Sequence, residues 1–145
     1  MKRTTPRRRK PAETDGPTEP SGPVVAWCTG PRCSALHRLA GAEDHEQDIR
    51  STVRATRGAV LITSPCLGRC ELACVAAVAR RDGPSRQIGP LAWFTGLEHS
   101  DRFRALQAWL LTGGPQQILR PDRILPTALR AAACGVTPPP RIRRH

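Results

Sequence analysis

Tyrosine is absent from this 145-residue chain, and the other aromatic residues are scarce, with three tryptophans and two phenylalanines. A broad surface for stacking nucleic-acid bases is therefore not expected, because such surfaces need several exposed aromatic side chains. The sequence contains no apolar run of about eighteen residues, so we predict no membrane-spanning helix. Residues 1–10 are rich in arginine and have no apolar stretch, so a secretory signal is not expected and we predict a cytoplasmic protein.

The usual enzyme motifs are also lacking, since the sequence has no Walker A loop, no Gly-x-Ser-x-Gly elbow and no His-Glu-x-x-His. Acidic residues are grouped between Glu43 and Asp48, at the start of a predicted helix, where the helix dipole favours negative charge. This grouping does not indicate a catalytic pair. We therefore expect that the chain is not itself an enzyme.

The net charge is +11, and most of the excess lies at the two ends of the chain. Residues 1–22 have no apolar periodicity and are predicted to be a disordered basic tail, because they cannot bury enough apolar surface to offset the entropy of ordering. Residues 115–145 are rich in proline and arginine and are predicted to be a second tail, with one short helix over residues 126–134. Residues 23–114 are predicted to form one domain.

Four short apolar runs in this domain predict strands over residues 24–28, 59–62, 75–79 and 91–94. A capping-box pattern that starts at Asp44 predicts a helix ending at Gly58. A last helix, in which Phe103 and Leu110 share a face, is predicted to stop at Gly113. The stretch 29–42 is predicted to be a loop with at most one helical turn, because glycine and proline interrupt it. The predicted fold is α/β, in the order β-α-β-β-β-α, and resembles the thioredoxin-like sandwich.

Six cysteines are present, and in a reducing compartment clustered cysteines favour metal or redox chemistry over structural disulfides. Four of them form the pairs Cys28-x4-Cys33 and Cys66-x3-Cys70, and each pair directly follows a predicted strand. Parallel α/β sheets place ligand sites at the carboxyl ends of their strands, so the two loops are expected to converge. The remaining two, Cys74 and Cys134, are expected to be a buried thiol at a strand start and an unligated thiol in the tail.

The second pair carries a family resemblance. Residues 66–71 read Cys-Leu-Gly-Arg-Cys-Glu and resemble the Cys-Leu-Gly-x-Cys signature of the thioredoxin-like [2Fe-2S] ferredoxins. That family includes small (2Fe-2S) ferredoxin domain-containing proteins and the cluster-bearing small subunit of the NADH-oxidising arm of respiratory complex I. Residues 91–94 (Leu-Ala-Trp-Phe) and 113–115 (Gly-Gly-Pro) are similar to two further family features. The resemblance covers about residues 23–115 and implies that the cluster ligands are Cys28, Cys33, Cys66 and Cys70.

Other uses of the cysteines remain open on the residues alone. Structural zinc sites usually have tighter Cys-x2-Cys knuckles, but zinc stays an alternative, as do disulfides or unligated thiols. A dithiol enzyme of the thioredoxin type is disfavoured because no Cys-x-x-Cys occurs. A Rieske centre needs two histidine ligands, whereas only His37 is close to a cysteine pair, and it is expected to be a solvated or core histidine.

The resemblance implies a one-electron carrier that works with a redox partner protein, either a reductase or an oxidoreductase of which the chain is an accessory subunit. The alternative is a nucleic-acid-binding or regulatory protein with a structural or sensing metal site, either zinc or iron–sulfur, whose basic tails contact phosphates. The sequence does not identify the electron donor or acceptor, and it leaves open whether the chain is a monomer or a homodimer.

Overall fold

The short apolar runs of the sequence form the strands of one five-stranded mixed sheet, and helices pack beside it. The computed structural model describes residues 19–69 and 72–139. In chain order the elements are β1 (Gly22–Cys28), α1 (Pro31–Leu39), α2 (His45–Arg54), β2 (Val60–Ser64), β3 (Ala76–Arg81), β4 (Leu91–Phe94), α3 (Ser100–Leu111), α4 (Thr127–Arg130) and β5 (Ala133–Thr137). The predicted mixed α/β class is confirmed.

The sheet has the strand order β2-β1-β3-β4-β5. Strands β1 and β2 are parallel, with Cys28 opposite Ser64, and all other neighbouring pairs are antiparallel. Strands β1, β2 and β4 therefore finish at the same end of the sheet, where β3 and β5 begin. We call this end the cysteine end, because Cys28 is the last residue of β1 and Cys66 follows β2 by two residues.

The hydrophobic core lies between the sheet and α3. Trp27 of β1 meets Phe103 of α3 edge-to-face at 5.8 Å between ring centroids, and Phe94 of β4 meets Trp109 at 5.7 Å. Residues 76–79 of β3 are all fully buried, as expected for the central strand of a five-stranded sheet. The apolar stripe predicted for the last helix is therefore the face that covers the sheet.

Residues 29–42 depart from the prediction of a loop, because α1 occupies nine of them. Gly30 is its N-cap in extended backbone, and Pro31 is the first helical residue. Proline is well accommodated at that position, since its missing N–H has no intrahelical partner there. The Gly-Pro pair is therefore the start of a helix and not an interruption.

The second helix begins where predicted, with Asp44 at the N-cap position, although the Asp44 side chain makes no capping hydrogen bond. It ends earlier than predicted, at Arg54, with Ala55 as C-cap. Gly58 does have left-handed backbone, with φ of +77°, but it lies in the turn that leads into β2. The glycine signal was correct for the conformation of that residue and misleading for the length of the helix.

The segment predicted as a C-terminal tail contains two packed elements. The expected helix over residues 126–134 is only one turn long, and β5 follows it along β4. Leu129 and Ala132 are fully buried, and the indole N–H of Trp93 donates to the Thr137 hydroxyl at 2.7 Å. Pairing with β4 here outweighs the helix propensity of the alanines at 131–133.

The predicted N-terminal tail lies mostly outside the described residues, since only its last four residues, 19–22, are described. Glu19 forms ion pairs with Arg86 at 2.9 Å and with Arg81 at 3.6 Å. Gly22 is the first residue of β1. Among the described residues, no helix has both the length and the apolar composition that crossing a bilayer requires.

Candidate functional site

Two loops meet at the cysteine end of the sheet. The first cysteine loop comprises residues 28–33, and the second comprises residues 65–69, up to the last described residue before Cys70. The register of β1 and β2 continues into them, since the Thr29 N–H donates to the Ser64 carbonyl at 2.7 Å. Gly30 packs so closely on the second loop that a Cβ atom there would lie 2.2 Å from the Pro65 carbonyl oxygen. A residue without a side chain at position 30 is what allows this contact.

In each loop a backbone N–H points at a cysteine sulfur two residues earlier. The Gly30 N–H donates to Cys28 Sγ at 3.4 Å, and the Gly68 N–H donates to Cys66 Sγ at 3.3 Å. Gly68 has φ of +80°, a left-handed conformation that suits glycine. Hydrogen bonds to cysteine sulfur are one of the means by which a protein tunes a metal centre.

The two loops differ in burial. Cys28 is 4% exposed and Cys33 is 1% exposed, whereas Cys66 is exposed. Cys33 belongs to the first turn of α1, where the helix dipole favours negative charge on sulfur. The site is therefore closed on the side of the first loop and open to solvent on the side of the second.

Three of the four predicted ligands, Cys28, Cys33 and Cys66, are brought to this one end of the sheet. The fourth, Cys70, lies outside the described residues. Within residues 19–69 and 72–139, no three histidine, cysteine or acidic side chains form a group that could hold a metal ion. The complete ligand set therefore stays a prediction.

The described residues nevertheless suit an iron–sulfur cluster. Thiolates are the ligands that such clusters take, and hydrogen bonds to sulfur together with burial are the means by which a protein tunes them. Each loop has one such hydrogen bond, from a glycine N–H to a cysteine sulfur, and the glycine at position 30 lets the two loops come into contact. Cys28, Cys33 and Cys66 are the described residues that would hold such a cluster, and Cys70 is the predicted fourth ligand.

Cys74 lies directly behind the first loop. Its thiol is fully buried and donates to the Cys33 carbonyl at 3.3 Å. Burial and, to a lesser extent, the nearby carboxylate of Glu98 raise the pKa of this thiol to about 12. Cys74 is thus a buried, protonated thiol just before β3, in the environment that the sequence predicted for it.

Cys134 is the second residue of β5 rather than part of an unstructured tail, and it is half-buried. Burial raises the pKa of its thiol, and the positive charge of Arg69 opposes that shift. The Arg69 guanidinium lies over the Trp93 ring, 4.9 Å from its centroid. The second cysteine loop therefore reaches across the sheet from β2 towards β4 and β5.

Two buried histidines, His37 and His45, pack against aromatic side chains of the core. The His37 ring stacks on Trp27 at 5.4 Å between centroids, and the His45 ring stacks on Phe103 at 3.7 Å. Burial and, to a lesser extent, the neighbouring His45 lower the pKa of His37 to about 4. His37 is thus a neutral core histidine at ordinary pH. The sequence did not indicate whether His37 is a solvated or a core histidine, because residues 29–42 were predicted to be a loop. In helix α1, His37 lies one turn after Cys33 on the same buried face.

A cleft of about 200 Å³ opens beside Cys28, and its walls include His37, Arg38 and Glu46. Glu46 also pairs with Arg50 at 3.1 Å along α2. The acidic residues at the start of α2 thus behave as a solvated helix end, as the sequence indicated.

Comparison of the chain with protein-family models, with curated proteins and with solved structures gave no match. The geometry of the two cysteine loops is therefore the basis for assigning a function.

Proposed function

We propose that this chain is a one-electron carrier that binds a [2Fe-2S] cluster through Cys28, Cys33, Cys66 and Cys70. The observation that carries the proposal is the contact between the two cysteine loops at the ends of adjacent parallel strands. Each loop directs a backbone N–H at a cysteine sulfur. The resemblance of residues 66–71 to the family signature supports the same ligand set.

We also propose that the fold is thioredoxin-like. The parallel pair β1 and β2 with its helical crossover, the following antiparallel strands β3 and β4, and the covering helix α3 support this assignment. Strand β5 and helix α4 extend that arrangement at one edge of the sheet.

The protein residues have separate tasks in this proposal. A bound [2Fe-2S] cluster supplies the one-electron chemistry. The N–H groups of Gly30 and Gly68 would stabilise negative charge on the sulfurs of Cys28 and Cys66, and the burial of Cys28 and Cys33 keeps water away from that side. Because no titratable group needs to react, the chain acts by positioning and by electrostatics, together with a redox partner protein.

The proposal is tested by purifying the full-length protein without oxygen and measuring iron, zinc and acid-labile sulfide. We expect about two irons and two sulfides per chain and a brown colour. Cys66→Ala and Cys70→Ala should each abolish the visible absorption and lower the unfolding temperature, because the cluster crosslinks two loops. Cys134→Ser is the matched control and should keep the colour.

Colour retained in both alanine variants would contradict the ligand assignment. A colourless wild-type protein that holds zinc would favour the alternative function, a regulatory or nucleic-acid-binding protein with a structural metal site.

A further inference from the structure

The unequal burial of the two cysteine loops defines a direction for electron transfer. On the side of the first loop the sulfurs of Cys28 and Cys33 are covered by protein. On the side of the second loop Pro65, Cys66 and Gly68 are exposed. Electron transfer weakens steeply with distance, so a partner gains the shortest path by binding over the second loop.

The charged side chains in the described parts of the two loops are both arginines. Arg32, in the first turn of α1, is exposed, and it lies two residues after Gly30, which contacts Pro65 of the second loop. Arg69 is half-buried and its guanidinium is held over Trp93. Arg69 therefore holds a positive charge on the second loop, and Arg32 adds an exposed one at the start of α1.

Charged side chains of both signs lie just after β4. Arg102 donates to the Thr95 carbonyl at 3.2 Å, where β4 finishes. Of the acidic residues nearby, the Glu98 side chain is only 18% exposed and Asp101 is exposed at the start of α3. Glu71 lies outside the described residues. Within the described parts of the two loops themselves, the charged side chains are Arg32 and Arg69, and both are positive.

From this arrangement we propose that the second cysteine loop and Arg32 form the docking face for the redox partner, and that the partner meets it with an acidic surface. The inference rests on the proposed function. Basic groups around a redox site attract an acidic partner and raise the rate of productive encounter, an effect that falls with ionic strength.

A small anionic oxidant serves as the probe. The reduced protein gives one electron to hexacyanoferrate(III), which becomes hexacyanoferrate(II), and the second-order rate constant is measured by stopped flow. At low salt Arg69→Gln and Arg32→Gln should each lower this rate constant about two- to fivefold, and the difference should shrink at high salt. Arg69→Lys keeps the charge and should retain most of the rate. Midpoint potentials of all variants are measured so that changes in driving force are corrected.

The matched control is Arg57→Gln. Arg57 is exposed and precedes Gly58, which packs against Ser21 and Gly22 at the opposite end of the sheet. This variant should leave the rate constant nearly unchanged. The basic N-terminal segment is present in every variant, so its attraction for anions cancels in the comparison. Hexaamminecobalt(III), a cationic oxidant, should react faster with Arg69→Gln and Arg32→Gln.

Equal effects of all three glutamine variants, or slower reaction of the two loop variants with both oxidants, would overturn the proposal. A second readout needs no electron transfer. Hexacyanochromate(III), a paramagnetic anion, should broaden amide NMR signals near Thr95 and Cys134, and Arg69→Gln should weaken that broadening. If a colourless protein shows broadening at these positions, the anion-attracting face is supported although the proposed function fails. If no broadening occurs at these positions, the proposal of an anion-attracting face is wrong.

Discussion

Cys74 is held in place by burial and by its hydrogen bond to the Cys33 carbonyl. Its position four residues after Cys70 would allow it to replace that ligand on spacing alone. Because burial raises the pKa of its thiol to about 12, the thiol stays protonated and donates to the backbone of the first cysteine loop. At the scale of single residues, Cys74 is therefore a buried donor to the backbone of the first cysteine loop, and we expect that it is not itself a ligand.

This role predicts different outcomes for two substitutions. Cys74→Ser keeps a donor to the Cys33 carbonyl, so the visible spectrum should stay essentially unchanged. Cys74→Ala removes the donor and should lower the free energy of unfolding by roughly 1–3 kcal/mol. Urea unfolding and absorbance spectra of both variants test this. Loss of the cluster in Cys74→Ser together with its retention in Cys70→Ser would show that Cys74 is the ligand.

His37 predicts a dependence of stability on pH. Burial lowers its pKa from 6.5 to about 4 in the folded state, so below pH 6.5 the unfolded chain binds the proton more readily. The stabilising contribution is complete above pH 6.5 and is lost as the pH falls towards 4. Between pH 7.5 and 5, wild type should lose about 1–2 kcal/mol more than His37→Gln.

Urea unfolding at both pH values measures this difference. The side chain of His99 is 66% exposed, so His99→Gln should behave as wild type. His45, whose pKa is also lowered by burial, should leave a residual slope in the His37 variant. An unchanged pH dependence in His37→Gln would contradict the prediction.

At the scale of elements, α1 connects the two cysteine loops through its N-cap. Gly30 has φ of −66°, which any residue adopts, so its requirement for glycine comes from the contact with Pro65 and not from backbone strain. A methyl group 2.2 Å from the Pro65 carbonyl oxygen has to displace one loop. The distance between the loops, and hence the shape of the candidate site, depends on this position.

We therefore expect Gly30→Ala to lower the free energy of unfolding by roughly 1–3 kcal/mol and to reduce the cluster content of the purified protein. Gly41→Ala is the control. Gly41 has φ of +69°, and a Cβ added there would meet no atom within 4 Å, so alanine costs conformational energy but leaves the site unchanged. Iron content and chemical unfolding distinguish the two variants. Equal iron content in both would mean that the loop contact is not needed for binding.

At the scale of the whole molecule, we expect folding to depend strongly on the C-terminal segment and little on the N-terminal one. Residues 1–18 have no apolar pattern in the sequence, so deleting them should change the unfolding temperature by at most a few degrees and leave the cluster intact. Deleting residues 115–145 removes the buried Leu129 and the strand that pairs with β4, so that variant should fail to fold. Circular dichroism and thermal melts compare the two truncations.

The same N-terminal truncation tests nucleic-acid binding. If residues 1–18 contact phosphates, the full-length protein should bind duplex DNA with a steep salt dependence that the truncated form loses. Equal, salt-insensitive binding by both forms would exclude that role for the N-terminal segment.

The sequence by itself determined the features that depend on local patterns. Short apolar runs predicted β1 to β4, and the apolar stripe through Phe103 and Leu110 predicted α3, because side-chain periodicity is a property of neighbouring residues. The positions of the cysteine pairs after the first two strands were also predictable, and with them the convergence of the loops at one end of a parallel pair.

Only the tertiary structure decided the rest. Helix α1 was not predicted because Gly-Pro marks a turn or a helix start equally well. Strand β5 was not predicted because the alanines at 131–133 favour a helix until β4 offers a partner. The burial of Cys28 and Cys33 and the exposure of Cys66 depend on which elements cover each loop. These features arise from contacts between residues far apart in the chain, and local sequence patterns carry little information about such contacts.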